Sequence, residues 1–364
     1  MTKRHITYLA CTTALLGALV GTAPASAAHR FHVVRPGESI QKAVNAARPG
    51  DTVLVLAGTY HESITVRTPR LTLRGVGDRT VITPVRKTAP KKTAPGTRKA
   101  SVSCLESGNG ICVVGGKDKA LPDVTVADLR VTGFSTTGLW SMGTDHLTVQ
   151  RVTADDNGQW GIAQEHSTRG VFRGNTARGN GDAGLFLANN VKAEEGAMNS
   201  NGAVIEWNRL TNNRIGITVR RLRNLAVTGN YLTGNCAGVF VVGDENKPKA
   251  GALTVSGNRV ERNNKYCAKT ARLPYLQGSG IVLTGTEKTL VTQNVVTGHS
   301  GKSPLSGGIV LFKSFVGVTS ERNRITGNRL ENNSPADLVN QEAAKSGNAF
   351  DHNSCRASKP AGLC

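Results

Sequence analysis

Short apolar strands and asparagines follow one another along most of the chain in a repeated order. In the clearest copy, Asn230 follows one strand, Asn235 comes a few residues later, and Gly238 opens a second apolar strand. The same unit begins at Asn208 one repeat upstream. Self-similarity with a period of roughly 20 to 30 residues is the signature of a solenoid, in which each repeat stacks on its neighbours. The chain is therefore predicted to be a stack of similar coils.

The periodicity within each coil predicts strands. Apolar residues such as Leu147 and Val149 alternate with polar ones, so one face of each strand is buried. Between residues 133 and 334 no stretch keeps a helical period, and regular two-residue hairpin turns are missing. These features predict an all-β chain folded as a parallel β-helix of about ten coils, spaced ~4.8 Å apart.

The repeated asparagines are predicted to occupy the corners of the coils. There an amide can bond the backbone and the asparagine of the next coil, which forms a ladder. The first predicted ladder holds Asn175, Asn208, Asn230, Asn258 and Asn294, and the second holds Asn180, Asn213, Asn235 and Asn263. His299 and Asp156 fall in the register of the second ladder. Near the C-terminus two pairings stay open, Asn323 with Asn328 or Asn328 with Asn333.

The N-terminal residues 1–27 have the composition of a secretory signal, with a basic start, an apolar stretch and Ala25-Ser26-Ala27 at its end. The apolar stretch is too short to span a bilayer. Cys11 lies near the start of that stretch instead of after it, which argues against a lipoprotein. We therefore predict a secreted protein without a membrane span, whose single domain covers residues 28–364.

Cysteine usage supports export. Of the seven cysteines, six remain once Cys11 is removed, and an even number in an exported chain predicts three disulfides. The predicted pairs are Cys104–Cys112, Cys236–Cys267 and Cys355–Cys364. Six cysteines allow many other pairings. The middle pair rests on position, because Cys236 follows Asn235 and Cys267 lies in the corresponding loop one coil later.

The chain is strongly basic, with a formal net charge of +20. The predicted signal removes two cations and no acid, so the mature charge is 43 − 25 = +18. Such a charge favours polyanionic partners: acidic polysaccharide, teichoic acid, nucleic acid or an anionic membrane surface. General solubility of an exported protein would explain it equally. Residues 84–103 form a basic insertion without any acid, which either contacts a polyanion or is simply solvated.

A short helix is predicted near residues 39–48. Ile40, Val44 and Ala47 fall on one face, and Ser39 is a suitable N-cap. A helix before the first coil would cover the open end of the stack, which otherwise invites aggregation. A C-terminal cap is expected over residues 335–364.

The segment over residues 37–62 has the sequence GESIQKAVNAARPGDTVLVLAGTYHE. It resembles the opening of the pectin-lyase-like right-handed parallel β-helix proteins, and it is closest to their NosD-type branch. The asparagine-bearing coils and the ending NAFDHNSC over 348–355 resemble the same branch. The resemblance implies a right-handed, single-stranded β-helix. That fold hosts lyases, hydrolases, epimerases and proteins with no known reaction. A copper-related role is also implied, but no Met-rich or His-rich cluster supports it.

Alignment of the coils on the glycine before the second strand predicts which side chains point outward. The second and fourth residues after that glycine do so, and they include Trp140, Phe186 and Phe240. Outward aromatics on a solenoid could stack on sugar rings, or loops could fold back and bury them. Insertions flank this strand at 191–201, 244–251, 264–279 and 300–306. Loops on both sides would turn this sheet face into a groove.

The predicted groove supplies candidate site residues. The expected substrate-binding residues are Trp140, Glu165, Phe186, Asn189, Asn190 and Phe240. Hydrolases of the resembled family place aspartates before this strand on successive coils, and only Asp182 matches, which disfavours hydrolysis. A lyase or epimerase acting on uronic acids instead needs a base and cations that neutralise the carboxylate. The candidate catalytic residues are then His166, Lys192, Arg220 and Arg221.

Two functions follow from these residues. The first is an exported protein that binds an anionic polysaccharide in the groove and could cleave it by β-elimination. The alternative is a non-catalytic extracellular or cell-envelope scaffold that adheres through its basic insertion. Ca²⁺ is a candidate cofactor, since Glu194 and Glu195 offer oxygen ligands, although no metal-binding motif is present. We expect a monomer.

Overall fold

The computed structural model describes residues 29–85, 103–116, 119–191 and 193–364. The predicted signal at 1–27, most of the predicted insertion at 84–103, and Lys192 lie outside these residues. Within the described ranges, strands dominate. The helices there are the α-helix Ile40–Ala46 and the 3-10 helix Ala344–Ser346.

One stack of parallel strands, here called sheet 1, receives one strand from each coil and has eleven strands within the described residues. In stacking order its strands are Ile64–Val66, Ile111–Val114, Thr137–Met142, Trp160–Glu165, Ala183–Ala188, Ile215–Arg220, Ala237–Val242, Ser279–Thr284, Gly307–Phe312, Leu338–Asn340 and Ser358–Lys359. Neighbours in the stack are also neighbours in sequence, and all pair in parallel. This order confirms the predicted parallel β-helix.

The other strands form two further stacks, sheet 2 and sheet 3. Strands Thr125–Thr132 and Thr148–Asp155 turn the corner between these sheets and belong to both. Sheet 2 otherwise holds Phe31–Val34, Thr52–Val55, Thr72–Arg74, Val171–Arg173, Met198–Glu206, Leu222–Thr228, Ala250–Gly251, Thr254–Ser256, Thr286–Glu287, Leu290–Thr292, Arg324–Thr326 and Ala349–Asp351. Sheet 3 otherwise holds Gly58–His61, Thr80–Thr83, Thr176–Arg178, Arg209–Thr211, Tyr231–Thr233, Arg259–Glu261, Val295–Thr297 and Arg329–Glu331. A separate pair joins Leu121–Pro122 to Thr144–Asp145.

The first asparagine ladder is confirmed. From Asn175 to Asn294 each side-chain amide donates to the Oδ1 of the next coil over 2.9–3.0 Å. The ladder continues through Asn328 to Asn353. This continuation places Asn333 in the second ladder, so the pair left open near the C-terminus is Asn328 with Asn333.

The second ladder is confirmed from Asn180 through Asn263 to His299, but its predicted start was wrong. It begins at Asn157, whose amide donates to Asn180 at 3.0 Å, and not at Asp156. A ladder position needs an N–H donor as well as an acceptor, which a carboxylate lacks. Asp156 is exposed and turns the corner with a left-handed φ of 54°.

The core is a column of aliphatic side chains between the three sheets. The first residues after the aligned glycines, expected to point inward, include Ile162, Leu185 and Ile217, and these are fully buried. All three predicted disulfides are present. No helix within the described residues is long and apolar enough to cross a membrane.

The N-terminal helix forms where it was predicted. The Ser39 hydroxyl accepts a hydrogen bond from the Lys42 amide at 3.3 Å, and Ile40 is buried against the core. The Glu62 carboxylate accepts the otherwise unpaired amides of Ile40 and Gln41 at 2.7 and 3.2 Å. Glu62 therefore provides hydrogen-bond acceptors for two backbone N–H groups in the first turn of the helix. At the other end, strands Leu338–Asn340 and Ser358–Lys359 continue sheet 1 into residues 335–364.

Candidate functional site

The outward face of sheet 1 carries two rows of side chains in the register predicted from the sequence. In one row Trp140, Ala163 and Phe186 lie on successive coils. In the other row, Glu165, Ala188 and Arg220 do so. Ala163 and Ala188, which lie between the large side chains, are 0% and 2% exposed. We call this area, between Trp140 and Arg220, the sheet 1 groove.

Downstream of the groove, loops cover the same sheet face. Phe240 is 3% exposed and packs against Leu276 and Leu305, which come from the insertions at 264–279 and 300–306. Loops therefore fold back and bury Phe240, so its ring is not open to a sugar. Contact of Phe240 with a ligand would require these loops to move.

Upstream, the aromatic residues form the floor of the groove. The rings of Trp160 and Phe186 stack with centroids 4.2 Å apart and planes 8° from parallel. Trp140 packs beside this pair and stays half-buried. Trp160 and Phe186 are 8% and 6% exposed, so Trp140 offers the most accessible ring of the three. The alanines at 163 and 188 complete this apolar floor.

Glu165 is buried beside the floor with both carboxylate oxygens occupied. Oε1 accepts the indole N–H of Trp140 at 2.9 Å, and Oε2 accepts the backbone N–H of Val191 at 3.1 Å. Glu165 therefore holds both the ring of Trp140 and the start of the following loop. Its predicted contact with substrate stays a prediction.

At the edge where the strands begin, Asp182 lies beside the floor. Its Oδ2 accepts the indole N–H of Trp160 at 3.1 Å, and Arg214 Nε lies 4.0 Å from its Oδ1. Burial raises the pKa of Asp182, although the Trp160 hydrogen bond and the charges of Arg214 and Arg272 oppose the rise. Such an environment is typical of functional carboxyl groups.

Sequence reasoning selected neither Trp160 nor Arg272 for the site. Trp160 immediately precedes the glycine on which the coils were aligned, so its position was visible. Arg272 lies in the loop at 264–279, and its charge affects both Asp182 and Arg220. No local pattern could have shown that this loop returns over the groove.

Arg220 lies at the opposite edge, where the strands end, and its side chain is half-buried. Among the described residues no carboxylate lies within 4.0 Å of it, unlike Arg221 next to it. Burial lowers the pKa of Arg220, and the nearby cations Arg221 and Arg272 lower it further. A guanidinium in this state gains from any anion that enters the groove.

Arg221 has its donors occupied within the protein. It is 3% exposed and forms ion pairs with Asp244 and Glu194, and its Nη1 donates to the carbonyl of Ala193. These contacts tie the loops at 191–201 and 244–251 together. A catalytic role for Arg221 stays a prediction, and we leave it out of the proposed site.

His166 is exposed at the corner next to the groove, with a left-handed φ of 44°. Its Nδ1 lies 3.0 Å from Oδ1 of Asn189, whose own amide nitrogen donates to the carbonyl of Gly196 at 2.8 Å. The amide orientation of Asn189 is thereby set, so His166 must donate from Nδ1. Nε2 is then the nitrogen that can accept a proton. Asn190 follows at the same corner and is half-buried.

Metal ligands are not gathered in the part of the chain that the structure describes. No group of three or more His, Cys, Asp or Glu side chains lies close enough there to hold a metal ion. Glu194 forms an ion pair with Arg221, and every cysteine in the described residues is in a disulfide. The donors that copper prefers are therefore not brought together in these ranges.

Two family models match the chain. The model described as right handed beta helix region matches residues 100–252. The chain has the right-handed parallel β-helix fold. The model described as periplasmic copper-binding protein (NosD) matches residues 188–357, which agrees with the NosD-type resemblance. Three disulfides and similarity to a periplasmic family are consistent with export.

Solved structures show the same fold at low sequence identity. The A-module of mannuronan C-5 epimerase AlgE6 from Azotobacter vinelandii matches with 20% identity and a TM-score of 0.62, over 88% of this chain and 90% of that chain. DFA-IIIase from Arthrobacter chlorophenolicus A6 matches with 12% identity and a TM-score of 0.58, over 89% and 87%. Alginate lyase from Paenibacillus sp. str. FPU-7 matches with 14% identity and a TM-score of 0.52, over 89% and 99%. No curated protein sequence matches this chain.

Proposed function

We propose that this β-helix protein binds an anionic polysaccharide in the sheet 1 groove and acts on its uronate units by removing the proton next to the carboxylate. The observation that carries the proposal is Arg220, a half-buried cation without an ion-pair partner among the described residues, beside an aromatic floor. Proton removal of this kind begins both β-elimination and epimerisation. Structures of a mannuronan epimerase and an alginate lyase share the fold, which makes this chemistry compatible with it.

Binding follows from the charges and rings of the groove. A sugar carboxylate can take both N–H donors of one face of the Arg220 guanidinium, which is the strongest geometry for such a pair. Arg272 adds a second positive charge from the covering loop. The accessible face of Trp140 suits the apolar face of a sugar ring. The net charge of +20 would steer a polyanion toward the protein.

His166 is the proposed base because its Nε2 is the proton-accepting nitrogen and it lies on the same edge of sheet 1 as Arg220. The two residues belong to coils two steps apart, or about 10 Å along the stack. One sugar unit and an arginine side chain can fill that span. Arg220 would stabilise the negative charge that develops on the carboxylate as the proton leaves. Asp182 lies across the strand at the opposite edge, so it would contact a different unit of the polymer.

A non-catalytic binding role is the second candidate. It is favoured by the number of polar groups near the groove that are already paired, including both oxygens of Glu165 and the guanidinium of Arg221. Such pairing stabilises the structure but leaves few groups for chemistry. Under this reading the groove retains the polymer without turnover.

The experiment measures binding and proton removal separately. Retention in native gels that contain polymannuronate or polygalacturonate at low salt reports binding. Proton exchange in D₂O, followed by NMR, reports the chemistry for epimerisation and elimination alike, and ultraviolet absorbance of unsaturated product identifies elimination.

We expect Arg220→Ala to lower the affinity for the polymer in these gels roughly tenfold or more, since a charged hydrogen bond contributes about 1.5 to 3 kcal/mol. The matched control is Arg324→Ala, an exposed arginine on sheet 2, which should retain the wild-type behaviour. Unchanged retention of Arg220→Ala would refute the groove as the binding site. Retention with neither exchange nor absorbance on the whole panel would favour the non-catalytic role.

A further inference from the structure

An exposed tryptophan marks the corner between sheets 2 and 3, outside the sheet 1 groove. Trp207 is 68% exposed and has a left-handed φ of 56°. Its stacking neighbours at this corner are Gly174 and Gly229. A Cβ at Gly229 would lie 2.9 Å from the indole ring, so the ring rests over the glycine of the next coil. The missing side chain at 229 lets the indole lie along the corner with its outer face open.

Next to this ring, sheet 3 presents a row of two arginines and a tyrosine. Arg209, Tyr231 and Arg259 are register partners on three successive coils. The guanidinium carbons of Arg209 and Arg259 lie 5.0 and 5.8 Å from the centroid of the Tyr231 ring. Both contacts are within the range of a cation–π interaction. The ring of Tyr231 therefore orients two cations on strands of sheet 3 that begin just after this corner.

The two arginines differ in their charge balance. Arg259 pairs with Glu261 at 2.5 Å. Arg209 is exposed and forms no ion pair within 4.0 Å with any residue of the described ranges. Its position two residues after Trp207 places an unneutralised cation next to an open aromatic face. Thr228 and Ser256, which carry hydroxyl groups, lie on the sheet 2 side of this corner, one on each of the two coils after that of Trp207.

We propose that this surface, formed by Trp207, Arg209 and Tyr231, is a second binding site for an anionic polysaccharide. An open indole suits the apolar face of a sugar ring, and Arg209 suits its carboxylate. Trp and Tyr are enriched at interfaces because each combines an apolar ring with a polar group. The ligand class rests on the proposed function, whereas the site shares no strand with sheet 1. A long polymer that reached both sites would gain affinity through effective concentration.

The test is isothermal titration of the full-length protein with short oligouronates and with the corresponding polymers, mannuronate and galacturonate. We expect two sites per chain for oligomers, and one site in Trp207→Ala. On the polymer, Trp207→Ala and Arg209→Ala should each lower the affinity about tenfold, which corresponds to the loss of one ring contact or one charge pair. Trp207→Phe should recover part of the loss. Acrylamide quenching of tryptophan fluorescence should fall when oligomer binds the wild type, and the fall should be smaller in Trp207→Ala, where only the groove residue Trp140 is left to be covered.

The matched control is Arg329→Ala, because Arg329 is exposed, lies further along the same row of sheet 3 and is paired with Glu331. It should bind as the wild type does. If Trp207→Ala keeps two sites and full polymer affinity while Arg220→Ala loses binding, the second site is refuted and the groove stands. If Arg220→Ala binds normally while Trp207→Ala loses binding, the groove is refuted and the corner stands. Wild-type protein that binds none of these polymers would overturn both.

Discussion

Replacement of His299 by asparagine should make the stability of the protein less sensitive to acid. His299 is fully buried in the second ladder, where asparagines occupy the preceding positions. Its Nε2 accepts a hydrogen bond from the Asn263 amide at 3.1 Å, and its Nδ1 donates to Asn333 Oδ1 at 2.9 Å. Protonation of Nε2 would place its N–H directly against the N–H of the Asn263 amide. The ladder therefore requires the neutral imidazole, and an asparagine can make both contacts without titrating.

The magnitude follows from the pKa. Burial is the main reason that the pKa of His299 is lowered from 6.5 to about 4. The folded state thus stays neutral while the unfolded state takes up a proton, so stability is lost as the pH falls from 6.5 toward 4. At pH 5 the unfolded chain is favoured by about 2 kcal/mol relative to pH 7, and the full loss below both pKa values is about 3 kcal/mol.

Urea unfolding at pH 7 and pH 5 gives the required comparison. The wild type should lose about 2 kcal/mol more than His299→Asn between the two pH values. Taking the difference between the two proteins cancels the carboxylates, which titrate in both. His352→Asn, at an exposed histidine, serves as control and should behave like the wild type. An equal loss in His299→Asn and wild type would refute the argument that the ladder needs a neutral imidazole.

Two further substitutions test the same physical reasoning elsewhere. Burial raises the pKa of Asp182, so the folded state disfavours its charged form and stability falls as the pH rises through that raised pKa. Asp182→Asn should therefore raise the melting temperature more at pH 8 than at pH 4. An equal increase at both pH values would contradict this. Asn235→Ala removes the amide that donates to Asn263 at 2.8 Å and to Leu210 at 3.1 Å, and it leaves the side-chain amide of Asn213 without its acceptor. It should lower the free energy of unfolding in urea by about 3 kcal/mol or more. The control Asn45→Ala, at an exposed position, should change it little.

Most of the fold was predictable because the repeat exposes it many times over. Each coil repeats the same strand, corner and glycine, so an error in one coil is corrected by its neighbours. The ladders show both the strength and the limit of this reasoning. Asp156 was misplaced by one residue: Asp155 pairs in register with Arg178, so Asn157 and not Asp156 lies opposite Asn180 and donates to it.

The candidate site was less predictable. The rows of the outward face, from Trp140 to Arg220, followed from alternation and register. Burial of Phe240 and the position of Arg272 depend on where one long loop folds back, and alternation carries no information about that. Ion pairing likewise depends on where the loops fold, since Arg221 is paired with Asp244 while its sequence neighbour Arg220 has no such partner among the described residues.

By itself the sequence determined the β-helix, its inward and outward faces and its ladders, because these depend on local periodicity repeated at a fixed spacing. Only the tertiary structure decided which outward aromatics stay open, which carboxylates are already paired, and that the Trp207 ring lies exposed over Gly229 at a corner outside the groove. Those features depend on contacts between residues of different coils and loops, whose geometry no single repeat encodes.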